Sequence, residues 1–275
     1  MQQQPTLPQL SHQFTRFAGE VQQTFGALAN NVLTLKKRLY EMEAVQELAG
    51  NNKKPRRRPE FRSQHGEDCA LWEILDRQTS GFYIEAGAFD GRSFAVTNAF
   101  DAMGWDGLLV EAIPAKAEEC RKNRPDARVV QAALGAQHGG AVKFHMTDDA
   151  FGGMLSYVDP NTDHGRKAAA SGTQITKVDV PLTSLNELLK DHTGSIDVAV
   201  IDVEGGEPEV LKGFDLKRFK PRVMLIEDND LRDGSAVIRH MAAEEYHLLG
   251  HVEMNRLYLH KSETETLARL GFRAR

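Results

Sequence analysis

Two periodicities divide this chain. From Phe14 onward, Phe14, Phe17, Val21, Phe25, Leu28, Val32, Leu35, Leu39 and Met42 recur at steps of three or four with polar residues between them, the spacing of one face of an α-helix. The stripe persists for about four heptads, and no nearby segment is patterned to cover it, so a coiled coil between subunits over residues 14–46 is the expected way to bury it. Three Phe and a central Asn30-Asn31 make the seam irregular, and a single helix packed on its own domain is the other arrangement the stripe permits. Gly50-Asn51-Asn52 ends the helix, and Pro55 and Pro59 prevent its resumption. The expected organisation is a helical oligomerisation segment at 1–50, a basic Pro-containing linker at 51–60 and one domain over 61–275.

Past the linker the pattern becomes short apolar runs alternating with helical stretches. Phe82–Glu85, Gly107–Glu111, Val129–Ala132, Asp197–Asp202 and Val223–Glu227 read as strands. Helices are expected at Cys69–Leu75, around Ser93–Met103 and Ala115–Asn123, and at Pro208–Gly213. Apolar runs of about five residues alternating with helices imply an α/β fold with a mainly parallel sheet covered on both faces. Ligands of such sheets bind beyond the carboxyl ends of the strands.

Composition narrows the function classes. With 34 Lys and Arg against 39 Asp and Glu, the net charge of −5 gives no field to gather nucleic acid, and no specific nucleic-acid partner is expected. Lys53-Lys54-Pro55-Arg56-Arg57-Arg58 is a local basic run; a solvated face is its expected role, with peripheral contact to anionic lipid as the alternative. No apolar run is long enough for a membrane span and the start lacks a signal pattern, so a cytoplasmic protein is expected. Cys69 and Cys120 lie too far apart for a Cys-x-x-Cys site and are expected to be reduced and structural.

The chemistry-bearing residues cluster at strand ends. Glu85-Ala86-Gly87-Ala88-Phe89-Asp90-Gly91 follows one strand and precedes a helix. Its glycines let the backbone pass close to a ligand, and Glu111 at the end of the next strand can accept hydrogen bonds from both ribose hydroxyls. A nicotinamide or flavin dinucleotide would require a Gly-x-Gly-x-x-Gly turn, which is missing. An acidic loop repels pyrophosphate and suits the ammonium and sulfonium charges of S-adenosylmethionine. Asp202, in Ile201-Asp202-Val203-Glu204-Gly205-Gly206-Glu207, falls at the same rim and is placed to orient the acceptor, act as a base or bind a metal. Glu227-Asp228-Asn229-Asp230 ends the next strand, and Asp202 with Asp228 and Asn229 would offer hard oxygen ligands to a divalent cation such as magnesium. In Ser63-Gln64-His65-Gly66-Glu67-Asp68, Ser63 is placed to cap the following helix, and His65 is the histidine expected to serve as general base.

Ser-Gln-x-Gly-Glu-Asp at 63–68, Phe-Tyr-Ile-Glu-x-Gly-Ala-x-Asp-Gly at 82–91, the strand ending Glu111-Ala112-Ile113-Pro114, and Ile-Asp-Val-Glu-Gly-x-Glu-x-x-Val-Leu-x-Gly at 201–213 resemble, in order and spacing, the FkbM family of class I methyltransferases. The resemblance covers roughly 60–230. It implies a Rossmann-like class I methyltransferase domain that transfers a methyl group from S-adenosylmethionine, usually to a hydroxyl of a sugar or polyketide-like acceptor. It makes Glu85, Gly87, Asp90 and Glu111 cofactor residues and Asp202 with Glu204 an active-site pair; Gln64, Ala88, Gly91 and Ala132 join the expected cofactor wall. Two positions depart from the family pattern: Val200, where Lys often stands, and Leu185-Asn186, where Leu-Asp is usual. The expected acceptor is a small molecule or surface glycan, with a polyketide or peptide natural product as the alternative and a non-catalytic oligomeric scaffold as the reading from another class. The Gly-containing segment around Phe151–Ser156 and Asp163–Gly165 is expected to act as a lid.

Overall fold

A computed structural model describes residues 7–148, 156, 158, 166, 170, 172, 174–230 and 234–272, with side chains from Arg16 onward. Its strands are β1 (Phe82–Ala86), β2 (Asp106–Glu111), β3 (Arg128–Gln131), β4 (Ala133–Leu134), β5 (Ala141–Thr147), β6 (Ile175–Thr183), β7 (Val198–Ile201), β8 (Val223–Glu227), β9 (Tyr246–Val252) and β10 (Asn255–His260). The described helices are α1 (Leu7–Gly50), α2 (Glu67–Ile74), α3 (Asn98–Met103), α4 (Pro114–Asn123), α5 (Leu185–Leu188), α6 (Glu207–Lys212), α7 (Leu216–Phe219), α8 (Ala236–Ala242) and α9 (Thr264–Arg269).

The main sheet has the order β3-β2-β1-β7-β8-β10-β9. Its first five strands are parallel, and β10 pairs antiparallel with both β8 and β9. Successive side chains of a strand point to opposite faces, and both faces here are apolar. Leu109, Val200 and Leu225 enter one core with Trp72, Phe100 and Trp105, while Leu108, Val110, Ala199, Ile201 and Ile226 enter the other with Val210, Phe214 and Met241. A smaller sheet, β4-β6-β5, packs Phe144 and Val180 against Ile113. Strand order reverses between β1 and β7, which opens a crevice at the carboxyl ends of the parallel strands.

Helix α1 ends at Gly50, where the sequence predicts. Its 44 residues extend about 66 Å at 1.5 Å per residue. Its C-terminal third is a layer of the domain: Ala44 and Leu48 are fully buried, and Tyr40 packs edge-on to Phe61 and Trp72 with centroids 5.7 Å apart. Packing therefore continues across the expected boundary at residue 50.

The basic run that follows is largely solvent-exposed, as expected; of its basic residues only Arg57 is half-buried, and its arginines are paired. Arg56 donates to the Trp105 carbonyl and to Asp106, Arg57 pairs with Asp126 and with the buried Asp101, and Arg58 pairs with Glu41. Arg56 and Arg57 thus tie the linker to the domain, and Arg58 ties it to α1. Among the described residues no helix is long and apolar enough to cross a membrane. Cys69 and Cys120 are free thiols, both buried.

Candidate active site

The carboxyl ends of β1, β2, β7 and β8 open into one cavity of about 700 Å³, the size of a site for a cofactor-sized ligand. Among the described residues its walls carry Glu67, Glu85, Glu111, Asp202, Glu204, Glu209, Glu227 and Glu253, no Lys or Arg, and a single histidine, His65. Such a lining repels phosphates and favours a cationic ligand that also offers hydroxyl donors. S-adenosylmethionine, with its sulfonium, ammonium and ribose diol, fits this donor set, and a dinucleotide does not.

On the β1–β2 side the carboxylates are held by N–H and O–H donors. Buried Glu85 accepts from Val96 N–H at 2.8 Å and from the Thr97 hydroxyl, which draws the loop after β1 back over the strand end. Thr97 in turn accepts from Arg124 at 2.6 Å. Arg124 is fully buried beside Asp101, to which Tyr83 also donates. Glu111 accepts from Ile113 N–H at 2.7 Å and Phe89 N–H at 2.8 Å. Burial pushes its carboxyl up to about 7, against the pull of those two N–H groups. Gly87 sits at φ +83, and a Cβ there would stand 1.7 Å from the carbonyl oxygen of Asp202. Only glycine lets the loops after β1 and β7 approach this closely.

On the β7–β8 side the carboxylates meet one another. Asp202, Glu207 and Glu227 bring oxygens within 4.8 Å of each other. Glu207 accepts from Val203 N–H at 2.9 Å and Gly205 N–H at 3.1 Å, so it ties the loop after β7 to the start of α6. Burial raises Glu227 far above the carboxylate range, and Asp202, Glu204 and Glu207 raise it further. Both effects favour its protonated form, and it hydrogen-bonds Asp202. Burial also raises Asp202, to about 6, and the hydrogen bond from Glu227 opposes that rise. The pair shares a proton as closely spaced carboxyls must.

Of the residues expected from sequence, Gln64, His65, Glu85, Gly87, Ala88, Glu111, Ala132, Asp202 and Glu204 line the cavity. Glu204 holds a left-handed backbone at φ 56 beside Gly205 at φ 94, so the loop turns tightly under Asp202. His65 is exposed at the rim, and its backbone N–H donates to the Glu67 carboxylate at 2.7 Å. Gly66 is the N-cap residue of α2, and the Ser63 hydroxyl accepts from the first-turn Asp68 N–H at 3.3 Å, as a cap does. Ser63 N–H and hydroxyl in turn donate to the Asp68 carboxylate at 2.9 and 2.5 Å.

Four expected site residues stand elsewhere. Asp90 accepts from Arg92 and Ser93 N–H groups and from the Ser93 hydroxyl. Although burial acts to raise it, those Ser93 and Arg92 bonds hold its carboxyl below the usual range; it shapes the turn rather than the wall. Gly91 packs on α4, where a Cβ would meet Cys120 Sγ at 2.8 Å. Asp228 is claimed by Arg256 at 2.6 Å and by the Ser235 hydroxyl at 2.5 Å. Asn229 is exposed and hydrogen-bonds Glu227. The acidic cluster at the rim is thus Asp202–Glu207–Glu227 rather than Asp202–Asp228–Asn229. Most of the expected lid, 151–155 and 163–165, lies outside the described residues, whereas Ser156 and Val158 line the cavity. Sequence reasoning missed Glu253, Met254 and Asn255, which the turn between β9 and β10 delivers to the wall.

The sequence matches a known family. Residues 85–273 match the Methyltransferase FkbM domain. No curated protein matches the sequence. Among solved structures, a TehB-like SAM-dependent methyltransferase from Corynebacterium glutamicum aligns over 86% of this chain and 99% of its own at 12% identity, with a TM-score of 0.40. A human methyltransferase 10 domain containing protein aligns over 70% and 79% at 14% identity, TM-score 0.40. An O-methyltransferase from Bacillus cereus in complex with SAH aligns over 80% and 88% at 12% identity, TM-score 0.38. The chain belongs to the FkbM methyltransferase family and is an S-adenosylmethionine-dependent methyltransferase.

Proposed function

We propose that this enzyme is an O-methyltransferase whose acceptor is an uncharged polyhydroxyl compound, a sugar or surface glycan. The observation that carries this reading is the cavity wall: eight carboxylates and no Lys or Arg among the described lining residues. Carboxylates accept hydrogen bonds from several hydroxyls at once and repel phosphate or carboxylate groups. A free sugar or neutral glycan therefore suits the wall better than a nucleotide sugar.

When bound, S-adenosylmethionine supplies an electrophilic methyl group on a positively charged sulfur. Glu111 would take the ribose hydroxyls, and the glycine-containing loop after β1 would let the cofactor lie close to the backbone. Asp202, raised toward neutrality, accepts the acceptor hydroxyl's proton as that oxygen attacks the methyl carbon in line. Protonated Glu227 holds the Asp202 carboxylate in position and stabilises its charge before transfer. A positioned base of this kind contributes about 10²–10⁴ in rate. His65 at the rim is placed to orient the acceptor or pass the proton to solvent. A proton on Glu227 would offset the mutual repulsion of the trio.

The test is methyl transfer from radiolabelled S-adenosylmethionine to a panel of a neutral oligosaccharide, a nucleotide sugar, a macrolactone and a peptide. Label in the neutral oligosaccharide as a base-stable methyl ether is expected. Transfer confined to the macrolactone or peptide, or label released by mild base as from a methyl ester, overturns the reading.

A further inference from the structure

Helix α1 has two apolar faces, and the domain covers one of them. Leu33, Lys37, Tyr40, Ala44 and Leu48 face inward. Leu33 stands against Gly66, Lys37 donates to the Ser63 carbonyl, and Ala44 and Leu48 are fully buried. At 100° per residue the second face lies about 160° around the helix. It carries Phe17, Phe25, Leu28, Val32, Leu35, Leu39 and Met42, each at least 52% exposed. Isolated apolar side chains on a surface are ordinary, but a continuous row of this length is not.

We infer that the occupant of this face is a second copy of the same chain, joined as a parallel two-stranded coiled coil. From Phe25 to Met42 the steps are three and four in strict alternation, so Phe25, Val32 and Leu39 take heptad position a and Leu28, Leu35 and Met42 take position d. In this register the inward residues fall at b, c and f, so the domain and a partner helix do not compete for the same face. A β-branched Val at a with Leu at the neighbouring d positions favours two strands. The exposed row amounts to on the order of 800 Å² per copy, the area a stable dimer buries on each side.

Length points the same way. Residues 16–32 are solvent-exposed except for half-buried Val21, so the first half of α1 extends past its own domain. A lone helix of that length is marginal in water, and pairing supplies what the domain does not. Between Phe17 and Phe25 the steps are two fours, a local stutter that unwinds the supercoil without breaking the seam. In the parallel orientation exposed Arg38 at position g stands opposite the following e position of the partner, Glu43, which already pairs with Arg77 of its own chain at 3.4 Å. The resulting dimer holds two active sites at one end of a shared rod, an arrangement suited to an acceptor that presents repeated hydroxyls.

The test is sedentation-free of assumptions about the acceptor: analytical ultracentrifugation of the full chain at micromolar concentration, with Val32→Glu/Leu39→Glu alongside. A dimer is expected for the parent chain. The double variant should be monomeric, with dimer affinity at least about thirtyfold weaker and S-adenosylmethionine binding unchanged, because both residues lie outside the cavity. Orientation is read from Phe25→Cys and Met42→Cys, introduced separately; each should form a disulfide-linked dimer with itself on oxidation. A monomeric parent chain, a trimer or larger assembly, a dimer that survives the double variant, or self-linking at neither cysteine overturns the proposal. So does binding of the parent chain, but not the double variant, to anionic vesicles in the absence of any dimer.

Discussion

The two halves of the cavity rim use the same residue type in opposite ways. At the ends of β1 and β2, Glu85 and Glu111 accept from Val96, Phe89 and Ile113 N–H groups and from the Thr97 hydroxyl. At the ends of β7 and β8, Asp202 and Glu227 face each other and Glu207, with oxygens within 4.8 Å. A carboxylate fixed by backbone donors has a defined position and charge, which suits recognition. A carboxylate fixed by another carboxyl must hold a proton between them, which suits proton transfer. On the proposed mechanism one wall thus divides into a half that binds and a half that reacts.

The largest effect expected from breaking this division is at Asp202. Asp202→Asn removes the base while keeping the shape, so kcat should fall about 10²–10⁴-fold with S-adenosylmethionine affinity changed little in calorimetric titration. Equal losses in kcat and in cofactor affinity would merge the two halves. Next is Glu111→Ala, which should weaken S-adenosylmethionine about tenfold to a hundredfold, the value of hydrogen bonds to a charged group, and leave kcat at saturating cofactor within a fewfold. Unchanged affinity would show that β2 does not hold the ribose.

A pH series sharpens the same contrast. Glu111, raised to about 7 by burial, must be ionised to receive two hydroxyl donors, so cofactor affinity should rise as pH increases from 6 to 8. Unfolding should respond in the opposite direction. Folding raises the pKa of Glu111 and Glu207, each to about 7, so the folded state binds more protons than the unfolded chain. That stabilisation is complete below the unfolded carboxyl range and is lost as pH rises through about 7. The ligand-free protein should melt a few degrees lower at pH 8 than at pH 5.5, and saturating cofactor should shrink the difference. A melting temperature that climbs over this interval would mean these carboxyls are not raised.

How much of this was legible in the sequence depended on how local its causes are. The end of α1 at Gly50, the five parallel strands, and the placement of Glu85, Glu111 and Asp202 at strand ends follow from periodicity and from glycine. The β9–β10 hairpin was not legible, because its turn is Glu253-Met254, without the Asn or Gly that marks a two-residue loop, although Glu253 adopts φ 49. The pairings of Arg56 and Arg57 were not legible because their partners Asp101, Asp106 and Asp126 lie far along the chain. At the end of β8 the acidic run Glu227-Asp228-Asn229-Asp230 gives no phase. Adjacent residues point to opposite sides, so Glu227 enters the cavity while Asp228 turns to Arg256.

That phase sets up the smallest expected effect and the most discriminating one. If Glu227 is protonated at neutral pH, a neutral amide mimics it, and Glu227→Gln should retain kcat within a fewfold because the Gln N–H still donates to Asp202. Glu227→Ala removes the donor and leaves Asp202 among the carboxyls of Glu207, Glu85 and Glu67, so its pKa should rise and the acidic limb of the kcat profile should move to higher pH. Chelator treatment provides the matching control. Full activity in chelator together with a tolerant Glu227→Gln places a proton between these carboxyls. Activity abolished by chelator and lost in Glu227→Gln would place a divalent cation there instead, since an amide is a far poorer ligand for a hard cation than a carboxylate.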